Sequence, residues 1–306
     1  MSKRPIFLVT GADLAPQALA LLTDFDMVYA GKTPSEDDVV RLCQQHDPVG
    51  IIVRYSKVGK QAMDAAPSLR VISKHGSGTD TIDKQAAEER GIRVVAAVGA
   101  NAAAVAEQAL ALMLACAKSV VQLDQRMRAG HWDKATHKNV ELEGRTVGVV
   151  GLGAIGLRFA KVADAMGMRV LGFDPYAKEL PAFVQRADWS AILSESDVIS
   201  LHCPLTNENA HLLNASTLAE CKSGVLIVNT ARGGLIDEQA LLDAVKSGQV
   251  GAAGLDSFAI EPMVHPHRFH AEPRIVLSPH IGGITADAYV KMGVASAHNA
   301  LQVLKA

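Results

Sequence analysis

Three features that assign proteins to special classes are scarce in this 306-residue sequence. It has four cysteines and no Cys-x-x-Cys pair, and each cysteine stands among apolar residues, which predicts buried, reduced thiols rather than a disulfide framework or a zinc site. The formal net charge is only −2, so no excess of charge points to a nucleic-acid partner. Long apolar runs are missing as well, because the longest, from about Ala109 to Ala117, stops at Lys118 and is too short to cross a bilayer.

These absences favour a globular protein of the cytoplasm with no membrane partner. The apolar run near the N-terminus is too short for the core of a signal peptide and instead predicts a first strand. Three histidines, His265, His267 and His270, stand close together in the sequence. Proline interrupts them and no predicted helix presents them, so we predict no metal site.

Short apolar runs alternate with helix-like patterns along the whole chain. This alternation predicts an α/β protein whose parallel sheets are covered by helices on both faces, and the length is that of two domains. The predicted strands are Ile6–Thr10, Met27–Ala30, Gly50–Arg54, Arg70–Ser73, Arg93–Ala97, Val147–Gly151, Arg169–Phe173, Val198–His202, Val225–Asn229, Gly251–Leu255 and Ile275–Ser278.

Three helices are predicted with defined ends. Ser35 is typical of an N-cap and opens a helix that runs to about Gln45. An alanine-rich pattern predicts one long helix from about 102 to 128, with Asn101 as its cap and Gly130 as its stop. The last helix begins at about Ala286 and continues to the C-terminus.

The most informative motif is a glycine turn between a strand and a helix. Residues 147–156 form an apolar strand that leads directly into Gly-x-Gly-x-x-Gly, followed by a helical pattern that ends at Gly167. Gly151 allows the tight turn, Gly153 lets the backbone approach a pyrophosphate, and Gly156 lets the helix pack on the strand. The N–H groups at the start of the helix attract phosphate, so the motif predicts a dinucleotide site.

Asp174 ends the next strand, at the position where an acid accepts hydrogen bonds from the adenosine ribose. A carboxylate at that position repels a 2′-phosphate, and the residues that follow include no arginine that would bind one. We therefore predict NAD rather than NADP as the cofactor.

Polar residues follow three successive strands of the second half, where ligands bind in open α/β sheets. Arg232 offers the planar fork of donors that matches a carboxylate and the neighbouring carbonyl oxygen of a 2-oxo acid. His280 is suited to donate a proton to that carbonyl, and Glu261 is suited to hold the other ring nitrogen and raise the pKa of the imidazole. Asp256 is a candidate for contact with the nicotinamide carboxamide.

Two segments of the first half also follow predicted strands. The backbone N–H groups of Ser77 and Gly78 can form an anion nest for a substrate carboxylate. Arg54 and Lys57 can meet a second anionic group, although a solvated rim is an equally good interpretation of these two cations.

These motifs resemble those of the D-2-hydroxyacid dehydrogenase family, in particular its phosphoglycerate dehydrogenase and hydroxypyruvate reductase branch. The resemblance covers nearly the whole chain and rests on six segments: Gly76–Asp80, Gly151–Gly156 with Asp174, His202–Thr206, Asn229–Gly234, Asp256 with Glu261–Pro262, and Pro279–Gly283.

The resemblance implies a catalytic triad of Arg232, Glu261 and His280, and a homodimer built on the nucleotide domain. It also implies two doubly wound parallel sheets: a flavodoxin-like substrate domain at 1–100 and 285–306, and a Rossmann NAD-binding domain at 101–284. The expected cofactor residues are Gly151, Gly153, Ala154, Ile155, Gly156, Asp174, His202, Pro204, Thr206, Thr230, Ala231, Asp256 and Gly283. The expected substrate residues are Arg54, Ser77, Gly78 and Arg232.

The expected reaction is hydride transfer between NAD(H) and C2 of a small D-2-hydroxy acid or 2-oxo acid, of the hydroxypyruvate, glyoxylate or 3-phosphoglycerate type. Because the sequence ends at Ala306, we expect no serine-binding regulatory domain of the kind found in longer phosphoglycerate dehydrogenases. Two alternatives remain. A formate dehydrogenase shares the fold, although its relatives carry glutamine where Glu261 stands. An NAD-sensing, corepressor-like scaffold keeps the fold without turnover.

Overall fold

The structure, a computed structural model, describes residues 4–305 and divides into two compact units. The first unit consists of the chain up to Asn101 together with the chain from Gly283 onward, and the second is Ala102–Gly282. The strands are β1 Ile6–Val9, β2 Asp26–Tyr29, β3 Gly50–Val53, β4 Val71–Lys74, β5 Arg93–Ala96, β6 Thr146–Val150, β7 Arg169–Phe173, β8 Gln185–Arg186, β9 Val198–Leu201, β10 Val225–Asn229, β11 Val250–Leu255 and β12 Ile275–Leu277. The helices are α1 Pro16–Leu19, α2 Glu36–His46, α3 Lys60–Asp64, α4 Lys84–Glu89, α5 Ala102–Ala117, α6 Val120–Arg128, α7 Ala154–Ala165, α8 Trp189–Glu195, α9 Ala215–Glu220, α10 Glu238–Ser247 and α11 Ala286–Lys305.

The sheet of the first unit has five parallel strands in the order β2-β1-β3-β4-β5. Every residue of β1 and β3 is buried, as expected for central strands that are covered by helices on both faces, whereas the edge strand β2 is partly exposed. The strand order reverses between β1 and β3, which is the flavodoxin-like arrangement. The carboxyl ends of β1 and β3 therefore flank the position where ligands bind in such sheets.

The sheet of the second unit has seven parallel strands in the order β12-β11-β10-β9-β6-β7-β8. Numbered within this unit, the order is the doubly wound arrangement of a dinucleotide-binding fold, and it reverses between β6 and β9. Apolar residues from both faces of the sheet form two separate clusters under the helices. The α/β fold with two parallel sheets is thus confirmed.

All predicted strands are present, with ends within one residue of the prediction, and the short edge strand β8 was not predicted. The helix after Ser35 is also confirmed, because the Ser35 side chain accepts a hydrogen bond from the amide of Asp38 and completes a capping box.

The prediction of one continuous helix over 102–128 is wrong. The chain forms α5 and α6 instead, at an angle of 59° to each other, and Ser119 between them has a left-handed backbone with φ of 50°. Helix α5 is largely buried, whereas α6 has no buried residue. The helical spacing of the sequence continues past the point where the chain leaves the core, so periodicity alone does not reveal the break. Within 4–305, no single helix is long and apolar enough to span a bilayer, and α5 with α6 reaches that threshold only as a bent pair.

Candidate active site

The glycine turn after β6 has the geometry that a dinucleotide requires. Gly151 has φ of 91°, and a Cβ atom at this position would lie 2.7 Å from the backbone nitrogen of Cys203. A Cβ at Gly156 would overlap the carbonyl oxygen of Gly151, so helix α7 lies as close to the strand end as the backbone allows. Both positions accept only glycine, one for its conformation and the other for its size.

Gly153, the N-cap of α7, differs from the other two glycines. Nothing lies within 4 Å of a Cβ added there. Gly153 stands at the N-terminus of α7, where the first N–H groups of a helix have no partner within it, and it is followed by the exposed Ala154 and the half-buried Ile155. An open, amide-lined cradle of this kind fits a pyrophosphate, so the residues present suit a dinucleotide cofactor.

Asp174 follows β7 and is tied to this turn. One carboxylate oxygen accepts a hydrogen bond from the amide of Leu152 at 2.8 Å, and the other accepts one from the amide of Tyr176 at 2.8 Å. Each oxygen keeps a second lone pair, so the carboxylate can also accept hydrogen bonds from ribose hydroxyls.

His202, predicted as a cofactor residue, has its ring inside the unit. Its Nε2 lies 2.9 Å from the hydroxyl of Ser200, and the ring packs against Phe159 with centroids 5.1 Å apart. Burial lowers the pKa of His202 to about 3, so the imidazole is neutral at physiological pH. The ring of His202 thus packs against α7, and its Nδ1 is buried without a partner among the residues described.

The loop after His202 brings Pro204 and Thr206 to the surface. Asn209, which the sequence analysis missed, holds this loop: its amide nitrogen donates to the carbonyl oxygen of Pro204 at 2.8 Å, and its amide oxygen accepts from the backbone of Thr206 at 2.7 Å. The available signal was an asparagine in a polar loop, a residue type that commonly bonds nearby backbone.

The turn that carries Arg232 is shaped by Asn229. This buried side chain accepts a hydrogen bond from the amide of Ala231 at 3.0 Å and donates to the carbonyl of Arg232 at 2.8 Å. Between them, the hydroxyl of Thr230 is buried and has no hydrogen-bond partner in the described part of the chain. A Cβ at Gly233 would overlap the backbone of Phe258, so this glycine lets the turn pack against the loop after β11.

That loop and the next bring the predicted acid and histidine together. The Nδ1 atom of His280 lies 2.6 Å from Oε2 of Glu261, whose other oxygen accepts a hydrogen bond from the amide of Phe258 at 2.9 Å. The hydrogen bond to Glu261 raises the pKa of His280 above its ordinary value, although burial opposes it. Burial by itself would raise the pKa of Glu261, but the bonds from His280 and Phe258 outweigh it and lower that pKa.

The positive charge of Arg232 affects the pKa values of both Glu261 and His280. It contributes to the lowered pKa of Glu261 after burial and the hydrogen bonds, and it weakly opposes the raised pKa of His280. The Nη1 atom of Arg232 donates to the carbonyl oxygen of Ala231 at 2.7 Å. The three predicted catalytic side chains therefore form one electrostatic group in the second unit.

Asp256 holds the backbone next to His280. It is 2% exposed, and its two oxygens accept hydrogen bonds from the amides of Ile281 at 3.0 Å and Gly282 at 2.8 Å. His280 itself has a left-handed backbone with φ of 53°, which is costly for a residue with a side chain. The two bonds to Asp256 hold this turn, so the observed partners of the carboxylate are backbone amides.

The predicted substrate residues of the first unit lie after β3 and β4. The guanidinium of Arg54 is paired with Asp13, and the hydroxyl of Ser77 accepts a hydrogen bond from the amide of Gly99 at 3.3 Å. Lys57 is exposed. Gly78 follows Ser77 directly, and Gly283 is the first residue of the C-terminal segment of this unit.

The three clustered histidines have partners of their own. Nε2 of His267 lies 3.3 Å from the carboxylate of Glu238, and the rings of His265 and His270 are 5.0 Å apart. Among residues 4–305, no group of three or more His, Cys, Asp or Glu side chains has an arrangement suited to a metal ion.

Several known proteins are similar to this chain in sequence or in structure. Residues 110–282 match the family model for the NAD binding domain of D-isomer specific 2-hydroxyacid dehydrogenases. The chain is 41% identical over 261 residues to a hydroxypyruvate reductase of Thermotoga maritima, and the match covers 85% of each protein. It is 36% identical over 274 residues to a D-3-phosphoglycerate dehydrogenase of Archaeoglobus fulgidus, covering 89% of this chain but 52% of that longer protein. A crystal structure of a glyoxylate reductase from Paecilomyes thermophila superposes with a TM-score of 0.86 and 30% identity, covering 98% of this chain and 94% of that one.

Proposed function

The chain belongs to the D-isomer specific 2-hydroxyacid dehydrogenase family and is an NAD-dependent oxidoreductase, and from this premise we propose that Arg232, Glu261 and His280 carry its reaction. The proposed substrate is a small D-2-hydroxy acid, or the matching 2-oxo acid, of the hydroxypyruvate, glyoxylate or 3-phosphoglycerate type. The observation that supports this most directly is the bond of 2.6 Å between His280 and Glu261 within the field of Arg232.

When bound, NAD(H) supplies or accepts the hydride at C2 of the acid. Glu261 holds Nδ1 of His280, so Nε2 is the nitrogen that remains for the substrate. Because the same bond raises the pKa of His280, the imidazole is protonated over a wider pH range and can give its proton to the 2-oxo oxygen. In the reverse direction the neutral ring accepts the hydroxyl proton.

Arg232 orients the acid. Its planar guanidinium offers parallel N–H donors to the substrate carboxylate and to the oxygen at C2, and it fixes C2 relative to the proton donor. Asp256 keeps the His280 turn in place through the two backbone amides that follow it. Gly233 lets the turn that carries Arg232 pack closely against the loop after β11.

The second unit serves as the cofactor domain, and the first unit as the substrate domain. The open cradle at Gly153 suits the pyrophosphate, and the Asp174 carboxylate favours NAD over NADP because it would repel a 2′-phosphate. In the first unit, Arg54 and the amides of Ser77 and Gly78 lie at the carboxyl ends of β3 and β4, the edge at which such sheets bind ligands.

We also propose a homodimer built on the second unit, and the exposure of helix α6 supports it. None of the nine residues of this helix is buried, so packing within the described chain contributes little to its stability. Its apolar side chains are open to solvent, with Val120 exposed at 55% and Met127 at 57%, and Trp132 just beyond it is exposed at 75%. Covering this surface with a second copy removes apolar area from water.

The four unpaired cysteines of the described chain fit a reducing compartment, the cytoplasm.

Oxidation of NADH with a panel of 2-oxo acids tests this assignment. We expect turnover with hydroxypyruvate or glyoxylate, and we expect His280→Ala to lower kcat by about 10²- to 10⁴-fold, the usual contribution of a general acid. Arg232→Ala should weaken binding of the acid far more than binding of NADH. Turnover of formate with NAD, or tight NADH binding without turnover of any 2-oxo acid, would refute the proposal.

A further inference from the structure

The ion pair at the ligand edge of the first sheet bears on which acids the enzyme accepts. Arg54 follows β3 and Asp13 follows β1, and these two strands flank the point where the strand order of the sheet reverses. Arg54 therefore lies at the end of the sheet where a cation can meet an anionic group on a ligand. Its guanidinium is instead held by a carboxylate of its own unit.

Hydrogen bonds and aromatic contacts fix the Arg54 side chain. Its Nη1 atom donates both to the Asp13 carboxylate and to the Asp13 carbonyl oxygen at 2.8 Å, and its Nη2 atom donates to the hydroxyl of Tyr55 at 3.3 Å. The guanidinium lies between two aromatic rings, 5.1 Å from the centroid of Tyr55 and 4.9 Å from that of Tyr289. The side chain is only 12% exposed. Both protons of Nη1 are engaged, so the fork that would grip a phosphate is incomplete.

Asp13 is in turn fixed by Tyr289, whose hydroxyl donates to its carboxylate at 2.9 Å. This bond, together with the one from Arg54, lowers the pKa of Asp13, so the carboxylate is ionised throughout the neutral range. Burial lowers the pKa of the nearby His75 to about 4, so that side chain adds no positive charge. The charges at this edge are therefore two cations, Arg54 and Lys74, whose Nζ donates to the carbonyl oxygen of Arg54 at 3.1 Å, and one permanent anion, Asp13.

A second anionic group on the substrate would meet this anion. Phosphate at C3 of a 2-oxo acid carries up to two negative charges, and like charges placed side by side weaken binding. An uncharged hydroxyl at C3 has no such penalty and can accept a hydrogen bond from the Arg54–Tyr55 group.

We propose that Asp13, by occupying the Arg54 guanidinium, makes this enzyme selective for 2-oxo acids with an uncharged C3 end and excludes their 3-phosphorylated counterparts. This inference rests on the proposed function, within which it narrows the substrate class. Asp13 acts through Arg54 and is a positioning residue for specificity rather than a catalytic one.

The test compares hydroxypyruvate with its 3-phosphate, two acids that differ only in the charged group. The wild-type enzyme should have the higher kcat/KM for hydroxypyruvate. Asp13→Asn keeps the size of the side chain and removes its charge, and it should shift the kcat/KM ratio toward the phosphorylated acid by about five- to tenfold, as expected for one charge at a partly exposed site. The shift should appear in KM for the phosphorylated acid, with kcat little changed.

Two further variants sharpen the result. Tyr289→Phe removes the hydroxyl that fixes Asp13 and should shift the ratio in the same direction by a smaller factor. Asp24→Asn makes the same change of charge at an exposed acid of this unit that is remote from Arg54 in sequence, and it should leave the ratio as in the wild type. A wild-type preference for the phosphorylated acid would overturn the inference, as would an unchanged ratio in a folded Asp13→Asn protein.

Calorimetric titration with 3-phosphoglycerate separates this inference from the proposed function. If no 2-oxo acid is reduced, yet Asp13→Asn binds 3-phosphoglycerate more tightly than the wild type, the proposed reaction fails while the role of Asp13 stands. If hydroxypyruvate is reduced but Asp13→Asn gains neither binding nor turnover of the phosphorylated acids, the role of Asp13 fails alone.

Discussion

Adding one methyl group at either of two glycines in the turn after β6 should separate cofactor binding from folding. Gly153→Ala places the methyl in space where nothing lies within 4 Å, whereas Gly156→Ala drives it into the carbonyl oxygen of Gly151. The two changes are chemically identical and lie within one turn of each other. They differ only in what the new atom meets.

The expected magnitudes follow from those surroundings. Gly153 has φ of −75° and ψ of −164°, which alanine adopts without strain. Alanine is a poorer N-cap than glycine, but it also lowers the entropy of the unfolded chain, so the two effects nearly cancel and we expect the free energy of unfolding to change by less than about 1 kcal/mol. Gly156→Ala overpacks a buried backbone contact and should destabilise by about 1–3 kcal/mol or more.

For Gly153→Ala we expect the reverse of the stability result: a small change in folding but a large loss of NADH binding. In Gly153→Ala the methyl occupies the cradle proposed for the pyrophosphate. If the resulting steric clash costs about 1–3 kcal/mol of binding free energy, NADH binding weakens by about five- to 150-fold. Urea unfolding measures the first quantity and NADH fluorescence titration the second. Wild-type affinity for NADH in a stable Gly153→Ala protein would refute the assignment of the cradle. Equal loss of stability in both variants would refute the packing argument.

Three other changes test the proposed catalytic residues and the proposed dimer. Glu261→Gln should move the alkaline fall of 2-oxo acid reduction to lower pH, because the bond that raises the pKa of His280 is weakened; an unshifted pH profile would contradict this. The same variant should lose most stability between the ordinary pKa values of 4.5 for glutamate and 6.5 for histidine, since the contribution of Glu261 fades as pH falls through its lowered pKa and that of His280 fades as pH rises through its raised one. Arg232→Lys keeps the charge but loses the fork, so KM for the acid should rise by about tenfold or more while the Kd of NADH stays constant; equal changes in both would argue against a substrate contact. Met127→Glu should convert the proposed dimer to monomer in sedimentation experiments, and an unchanged oligomer would place the interface elsewhere.

Much of the second unit was predictable because its signals are local. The glycine turn, the strand before it and Asp174 lie within 30 residues, so their mutual placement needs only one strand–helix–strand unit. Glu261 and His280 come after the consecutive strands β11 and β12, which pair with each other. Because consecutive strands usually lie side by side in such sheets, an acid and a histidine that follow them are expected to come close together.

The residues that shape the site were harder to predict. Asn229 and Asn209 bond to backbone atoms within a few residues, yet asparagine in a polar turn is too common to single out. Asp256 was expected to contact the nicotinamide carboxamide, which stays a prediction, and its hydrogen bonds to the amides of Ile281 and Gly282 were not foreseen. Whether a buried carboxylate serves a ligand or a loop depends on hydrogen bonds that no spacing rule contains.

The pairing of Asp13 with Arg54 shows where local reasoning ends. The two residues follow β1 and β3, which are not consecutive in sequence, because β2 lies between them along the chain. In the sheet, β2 pairs on the other side of β1, so β1 and β3 become neighbours and their carboxyl ends meet. The reversal of strand order that creates a ligand position in such sheets thus also brings together side chains 41 residues apart. Sequence reasoning left Arg54 between a partner for a substrate anion and a solvated rim, because spacing along the chain does not reveal that Asp13 is its neighbour.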